Sequence, residues 1–297
     1  MGAKLRVVRR RIRSVQSTMK ITRAMELIAA SRIVKAQQRV AEARPYADLL
    51  TRAMEDVARQ TGSLTHPLLE ERPEPERAGV LILSSDRGLA GSYNANVLKR
   101  AEGLLERLRT RGVDPVIYAT GKRAISYLRF RGMPVEASWS GFSEVPRYQM
   151  AEEIGQRLIE DFGSRRIDEL HTVYTDFRSA FTFRATDKRF LPIAPEEIIP
   201  GEPGRPHAAY IFEPGPARIL DDLLPQYVIT KVYFAFLESA ASENAARQRA
   251  MAAATDNADE LIKVLTRQAN RARQDEITTE IMEIVGGAEA LAQASEG

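Results

Sequence analysis

Alternating steps of three and four residues from Leu5 land on Leu5, Val8, Ile12, Val15, Met19, Thr22, Glu26, Ala29, Ile33, Ala36, Val40, Ala43, Ala47, Leu50, Met54 and Val57, and only Thr22 and Glu26 break the apolar series. An apolar seven-residue repeat kept up for about seven heptads marks a helix lying along a partner helix. Ordinary core helices usually end within roughly 20 residues. Residues 1–60 are therefore expected to form one long helix, whose stretch from Leu5 to Val57 alone would span about 80 Å at a rise of about 1.5 Å per residue. Pro45 lacks the amide donor that a helix interior uses, and a kink or a break is expected there.

The other end of the chain supplies a partner. After Pro225 no proline follows, and Gly286 and Gly287 are the only glycines before the terminal one. The stretch between is rich in Ala, Glu, Gln and Arg, which favour helix. Its seam includes Val232, Phe236, Ala240, Met251, Ala254, Ala258, Leu261 and Leu265, then slips and resumes at Ile277, Ile281, Ile284, Ala288 and Leu291. A slip signals a local change of supercoil or of partner. Small residues dominate the middle (Ala245, Ala246, Ala250 and Ala252 to Ala254), so a neighbour can approach closely. Long helices at the two ends of one chain pair most simply antiparallel. Residues 4–39 hold eleven Lys or Arg against one acid, Glu26, and residues 275–297 hold six acids and no base. Such asymmetry suits ends that meet each other or oppositely charged neighbours.

Between the helices the pattern changes. Pro67, Pro73 and Pro75, with charges among them, read as a linker. Beyond it Val80–Ser84, Pro115–Thr120, Glu169–Thr175 and Ala208–Phe212 are expected as strands, and Asn94–Arg111, Lys122–Arg131 and Ala151–Phe162 as helices. This alternation predicts a mostly parallel sheet with helices packed on it. Gly201 to Pro206 reads as an exposed loop, and Pro214 to Pro216 as the turn into the last helix. The expected fold class is α/β plus a long antiparallel two-helix coiled coil formed by the terminal helices, divided into residues 1–60, 76–213 and 214–297.

Nothing in the chain specifies an enzyme. There is no cysteine, which removes disulfides, thiolate metal sites and thiol nucleophiles. No apolar run approaches the roughly 18 residues of a membrane span, so none is expected. Arg6 to Arg13 has the composition of a transit peptide, yet the apolar seam runs through it unbroken. Gly88 and Gly91, in Ser84-Ser85-Asp86-Arg87-Gly88-Leu89-Ala90-Gly91, sit where a phosphate loop would lie. Their spacing fits neither the dinucleotide fingerprint nor the P-loop, and Gly121-Lys122 is followed by Arg123 instead of Ser or Thr. A tight strand-to-helix turn is expected, with no cofactor. His66, His171 and His207 lack metal-ligand spacing. Asp86 and Asp176 end predicted strands without a base or nucleophile nearby in sequence, so turn or cap roles are expected. No aromatic residue falls between positions 1 and 45 to stack on bases, so the Arg-rich helix is not read as binding nucleic acid. A solvated coiled-coil face and contact with an acidic protein surface both remain open.

Several segments resemble one family. Ile12-Arg13-Ser14-Val15-Gln16-Ser17-Thr18-Met19-Lys20-Ile21-Thr22-Arg23-Ala24-Met25-Glu26-Leu27-Ile28-Ala29-Ala30-Ser31 is similar to the N-terminal helix of gamma subunits of F-type ATP synthases. The Ser84 to Gly91 stretch resembles the loop after that family's first strand. Ala252 to Ala258 and Asn270 to Gln274 resemble its C-terminal helix, and Ile277-Thr278-Thr279-Glu280-Ile281-Met282-Glu283-Ile284-Val285-Gly286-Gly287-Ala288-Glu289-Ala290 its terminal signature.

The resemblance implies a non-catalytic central rotor stalk. Its paired helices would turn inside a hexamer of alpha and beta subunits, and its α/β domain, with the epsilon subunit, would rest on the c-ring of the membrane sector. The delta subunit would be met only indirectly. Proton flow would drive rotation and ATP synthesis, and hydrolysis the reverse. The location would be peripheral, on the cytoplasmic face of a bacterial plasma membrane. The family pattern places Lys20, Arg23 and Met25 opposite an acidic loop of the beta subunits, and Arg247, Gln274 and Thr278 in a catch with them further along; Arg9 and Arg10 are weaker candidates. Without cysteine, thiol regulation of the kind known in photosynthetic organelles is not expected, and Ala90 stands where the family often has cysteine. Two other readings fit parts of the sequence: an unrelated coiled-coil scaffold, and an α/β domain binding a nucleotide at Asp86 to Gly91.

Overall fold

The computed structural model describes residues 2–61, 66–179, 182–198 and 215–295. In chain order the elements are α1 (Gly2–Thr61), β1 (Arg77–Leu83), α2 (Tyr93–Thr110), β2 (Asp114–Thr120), α3 (Lys122–Phe130), β3 (Ala137–Trp139), α4 (Tyr148–Gly163), β4 (Glu169–Phe177), β5 (Phe183–Leu191), α5 (Pro195–Ile198) and α6 (Pro216–Ser295). The chain divides into two compact units, one of residues 1–28 with 248–297 and one of residues 29–247.

The larger unit is built on a five-stranded sheet in the order β3-β2-β1-β4-β5. Four strands are parallel, and β5 runs antiparallel along β4. Both faces are covered, which is why β1 reads as a continuous apolar run. Val80 and Ile82 point to one face, against Val97, Leu104 and Leu108 of α2 and Leu128 of α3. Leu81 and Leu83 point to the other, against Ile154, Leu158 and Phe162 of α4, Met54 and Val57 of α1, and Leu224, Val228 and Val232 of α6. The α4–α6 approach is close: a Cβ on Gly155 would come within 2.8 Å of Ile229 Cγ1, a contact that only glycine avoids. The terminal helices thus supply part of the layer covering the sheet. As the α1 number rises, the α6 partner number falls. Arg32 and Arg247 share Glu144, Arg39 and Tyr233 line one cleft, and Ala47 shares another with Tyr227 and Thr230, so the helices run antiparallel.

The least exposed stripe of α1 follows the heptad positions read from the sequence, from Leu5 to Val57. Pro45 does not break the helix. It and Ala41, whose carbonyl loses its partner, are both exposed, so water satisfies that oxygen. On α6 the stripe differs from the expected seam. Leu261 is exposed, and the sheltered positions continue without a slip through Ala258, Ile262, Leu265, Ala269, Ala272 and Glu276. Strand β3 and the edge strand β5 were not anticipated. The expected strand Ala208–Phe212, the Gly201 to Pro206 loop and His207 lie outside the described residues.

Candidate functional site

In the unit of residues 1–28 and 248–297 the polar interruption of the first seam has a structural role. The Thr22 and Thr255 hydroxyls are 2.8 Å apart, each also within reach of a carbonyl of its own helix (Met19 and Met251), so one hydroxyl donates across the pair and the other donates to its own carbonyl. Glu26, the second interruption, is half-buried and accepts from Arg23 Nη1 at both of its carboxylate oxygens, at 2.9 and 3.1 Å. With the seam occupied by the partner helix, other side chains face outward. Arg9, Arg10, Lys20, Arg23, Gln274 and Thr278 are exposed, and Met25 is half-buried. Large apolar groups join them. Ile277, Ile281 and Ile284 are 46%, 55% and 72% exposed, with Met282 and Val285 beside them and Ile21, Leu27 and Ile28 exposed on α1. These isoleucines lie off the stripe sheltered by the helix pair, which continues without a slip to Thr279, and residues 280–288 are exposed on every side.

Arg247 belongs to the larger unit and is 4% exposed. Its guanidinium is 2.6 Å from Glu243 one turn back, 3.4 Å from Glu144, and 3.4 Å from the carbonyl of Gly88. Burial pushes the Glu243 carboxyl above its usual range, and Arg247 beside it opposes that shift. Glu144 also meets Arg32 at 2.5 Å and Arg87 at 3.7 Å. Sequence reading missed Glu144, Arg32 and Glu243. Only the Glu243/Arg247 spacing of four was visible in advance.

The Ser84 to Gly91 turn is internally satisfied. Asp86 accepts from the backbone N–H groups of Gly141 (2.8 Å), Ser143 (3.0 Å) and Lys122 (3.3 Å). The amides that would cradle a phosphate at the start of α3 are committed elsewhere: Ala124 donates to the Ser84 hydroxyl and Arg123 to the Ser85 carbonyl. Ser85 N–H donates to Asn94 Oδ1. Gly91 takes a φ of 52° that favours glycine, as does Leu89 at 62°. Asp176 ends β4 and pairs with Arg178 at 3.5 Å. His171 bonds Glu169 at 2.9 Å and, with Arg111, holds that carboxyl down at about 2. Among the described residues no three His, Cys, Asp or Glu converge to hold a metal. Also among them, no helix is long and apolar enough to cross a membrane.

A family model described as ATP synthase matches residues 4–291. The chain is 54% identical over 299 residues to an ATP synthase gamma chain of Parafrankia sp. (strain EAN1pec), covering 99% of this chain and 100% of that one. It is 55% identical over 295 residues to an ATP synthase gamma chain of Acidothermus cellulolyticus, covering 98% of each. A chain from the Euglena gracilis mitochondrial ATP synthase OSCP/F1/c-ring in rotational state 3 matches with a TM-score of 0.65 at 15% identity, over 100% of this chain and 97% of the other. A chain from the central stalk/c-ring of the Tetrahymena thermophila mitochondrial ATP synthase gives 0.58 at 21% identity, over 79% of this chain and 99% of the other. At those identities the structural likeness is one of fold.

Proposed function

Because the chain belongs to the ATP synthase gamma-chain family, we propose that it is the central rotor stalk of a proton-translocating ATP synthase and carries no catalytic site of its own. Its paired terminal segments, residues 1–60 and 214–297, act as the shaft within a hexamer of alpha and beta subunits. Residues 76–213 act as the foot, which meets the epsilon subunit and the c-ring, with the delta subunit reached only through the rest of the complex. The location is peripheral, on the cytoplasmic face of a bacterial plasma membrane.

The observation that carries this reading is the exposed apolar set of Ile277, Ile281 and Ile284 near the end of α6, where residues 280–288 are exposed on every side of the helix. A stalk must touch the hexamer from inside and favour some of its states over others, since only differential interaction shifts a conformational equilibrium. Exposed apolar and basic side chains on both helices supply such contacts. In this reading Lys20, Arg23 and Met25 face an acidic loop of the beta subunits. Gln274 and Thr278 make polar contacts with those subunits, and Arg9 and Arg10 add to the same basic face. Arg247, buried by its carboxylate partners, serves that contact indirectly by fixing the segment from which the helix continues.

The test is reconstitution of the purified chain with alpha and beta subunits. One copy per hexamer with rotary ATPase activity is the expected result. Failure to enter the hexamer, or a hexamer whose activity ignores the chain, would end the proposal.

A further inference from the structure

If the chain is a stalk, whatever turns the α/β domain must turn α1 and α6 with it, so a joint is needed inside the unit of residues 29–247. One part of the attachment is apolar: Met54 and Val57 of α1, and Leu224, Val228 and Val232 of α6, lie on the sheet. Such packing is non-directional. A different attachment sits where both helices reach the limit of this unit, at Arg32 and Arg247. There Glu144 Oε2 is 2.5 Å from Arg32 Nη1, and its Oε1 is 3.4 Å from Arg247 Nη1. Glu243 holds the other side of Arg247 at 2.6 Å, and Arg87 reaches Glu144 at 3.7 Å. The side chains of Glu144, Glu243 and Arg247 are 15%, 1% and 5% exposed, so water weakens the Glu144–Arg247 and Glu243–Arg247 contacts little, whereas Arg87, 73% exposed, adds only a screened contact.

The network gathers four segments: α1, α6, the loop after β1 and the loop after β3. The two loops are themselves joined into one piece. Asp86 accepts from the amides of Gly141 and Ser143, and its own amide donates to the Ser143 hydroxyl at 2.9 Å. Arg247 also reaches the Gly88 carbonyl of the first loop. Both loops leave the carboxyl edge of the sheet, so the ion pairs connect the sheet to both helices at fixed angles, as charge-assisted hydrogen bonds do.

We propose that Glu144, with Arg32 and Arg247, forms the joint through which twist passes between the α/β domain and the two terminal helices. The proposal rests on the rotor reading and gives the Ser84 to Gly91 turn a purpose: it is the sheet's half of the joint. Glu144 is a positioning residue.

The test uses the assembled complex with its hexamer fixed to a surface and a bead on the α/β domain. The chain has no cysteine, so Phe130→Cys, at a side chain 88% exposed on α3, gives one attachment point. Angular fluctuation of the bead at a catalytic pause reads the stiffness across the joint. Glu144→Gln is expected to raise the angular variance about twofold, as when one of two comparable attachments is lost. Arg32→Gln should give a smaller rise, and Arg32→Lys should restore most of it. A merely structural role would lower the melting temperature and leave the variance unchanged. If Glu144→Gln fails to assemble, Arg32→Gln, at a part-exposed side chain, decides by the same variance. A rotating wild-type complex whose variance neither substitution alters would overturn the joint and spare the rotor reading. A wild-type chain that forms no rotating complex would overturn both.

Discussion

Glu238 shows how far burial alone can move one carboxyl. It lies on α6 facing Asp176 and Lys188, and burial, helped by the like charge of Asp176 and opposed by Lys188, pushes it up to about 7. Its Oε2 has no hydrogen-bond partner among the described residues. The folded state then holds a proton on this group through a range where the unfolded chain has released it, above about 4.5. Stability contributed by the protonated form is complete at lower pH and is lost as pH rises through about 7. Glu238→Gln should therefore match the wild type near pH 5 and exceed it by about 2 kcal/mol near pH 8. Urea unfolding at the two pH values checks this; an equal difference at both would refute the assignment. Glu169 has the opposite sign. Held down at about 2, first by His171 and then by Arg111 against the cost of burial, it stabilises the fold above its unfolded pKa, and that contribution fades as pH falls toward 2. Neither shift was legible in the sequence. Lys188 and Asp176 meet Glu238 only because β4 and β5 pair, and β5 was not foreseen. Asp86 was more transparent. Its place at a strand end announced a turn residue, although the loop after β3 that it holds was invisible until the chain folded.

Among elements, legibility followed length. The first helix was readable because its apolar period repeats along most of its course, and the buried stripe follows that period. Strand β3 has three residues, Ala137 to Trp139, too few to show any period. Strand β5, Phe183–Leu191, carries Arg184, Asp187, Lys188 and Arg189, which leave it no clear apolar alternation. Charge on an edge strand deters pairing with other chains, so the feature that hid it from pattern reading belongs to its position. The seam expected on the second helix held at Val232, Phe236, Ala240, Met251, Ala258 and Leu265 and failed at Leu261, Ile277, Ile281 and Ile284, which look like core residues and are exposed. Gly286 and Gly287 fall inside this helix, and nothing lies within 4 Å of a Cβ built on either. Each costs the helix roughly 0.5–1 kcal/mol relative to alanine. Gly286→Ala and Gly287→Ala should each slow amide exchange over residues 280–295 by about threefold, since opening there is local. Unchanged exchange in both would mean that these residues are not helical in solution.

At the scale of the whole molecule, the chain is unfinished by itself. It spends the apolar seam of α1 on its own second helix and on the sheet, and still leaves Ile277, Ile281, Met282, Ile284 and Val285 facing outward near its end. An isolated chain with such a surface should self-associate at high concentration, and a hexamer that receives it should bury the same groups. These side chains are largely exposed, so replacing them should not unfold the chain. The triple substitution Ile277→Ser, Ile281→Ser, Ile284→Ser is expected to leave helix content and the unfolding midpoint unchanged. It should abolish self-association seen by sedimentation. At about 1 kcal/mol for each apolar side chain returned to water, it should weaken binding to the alpha and beta subunits by about a hundredfold. The two readouts separate the possible meanings of this surface. Loss of both self-association and assembly identifies it as the surface that enters the hexamer. Loss of helix content would show instead that the isoleucines support the pair of helices from within, and the exposed apolar set on which the stalk assignment relies would be gone.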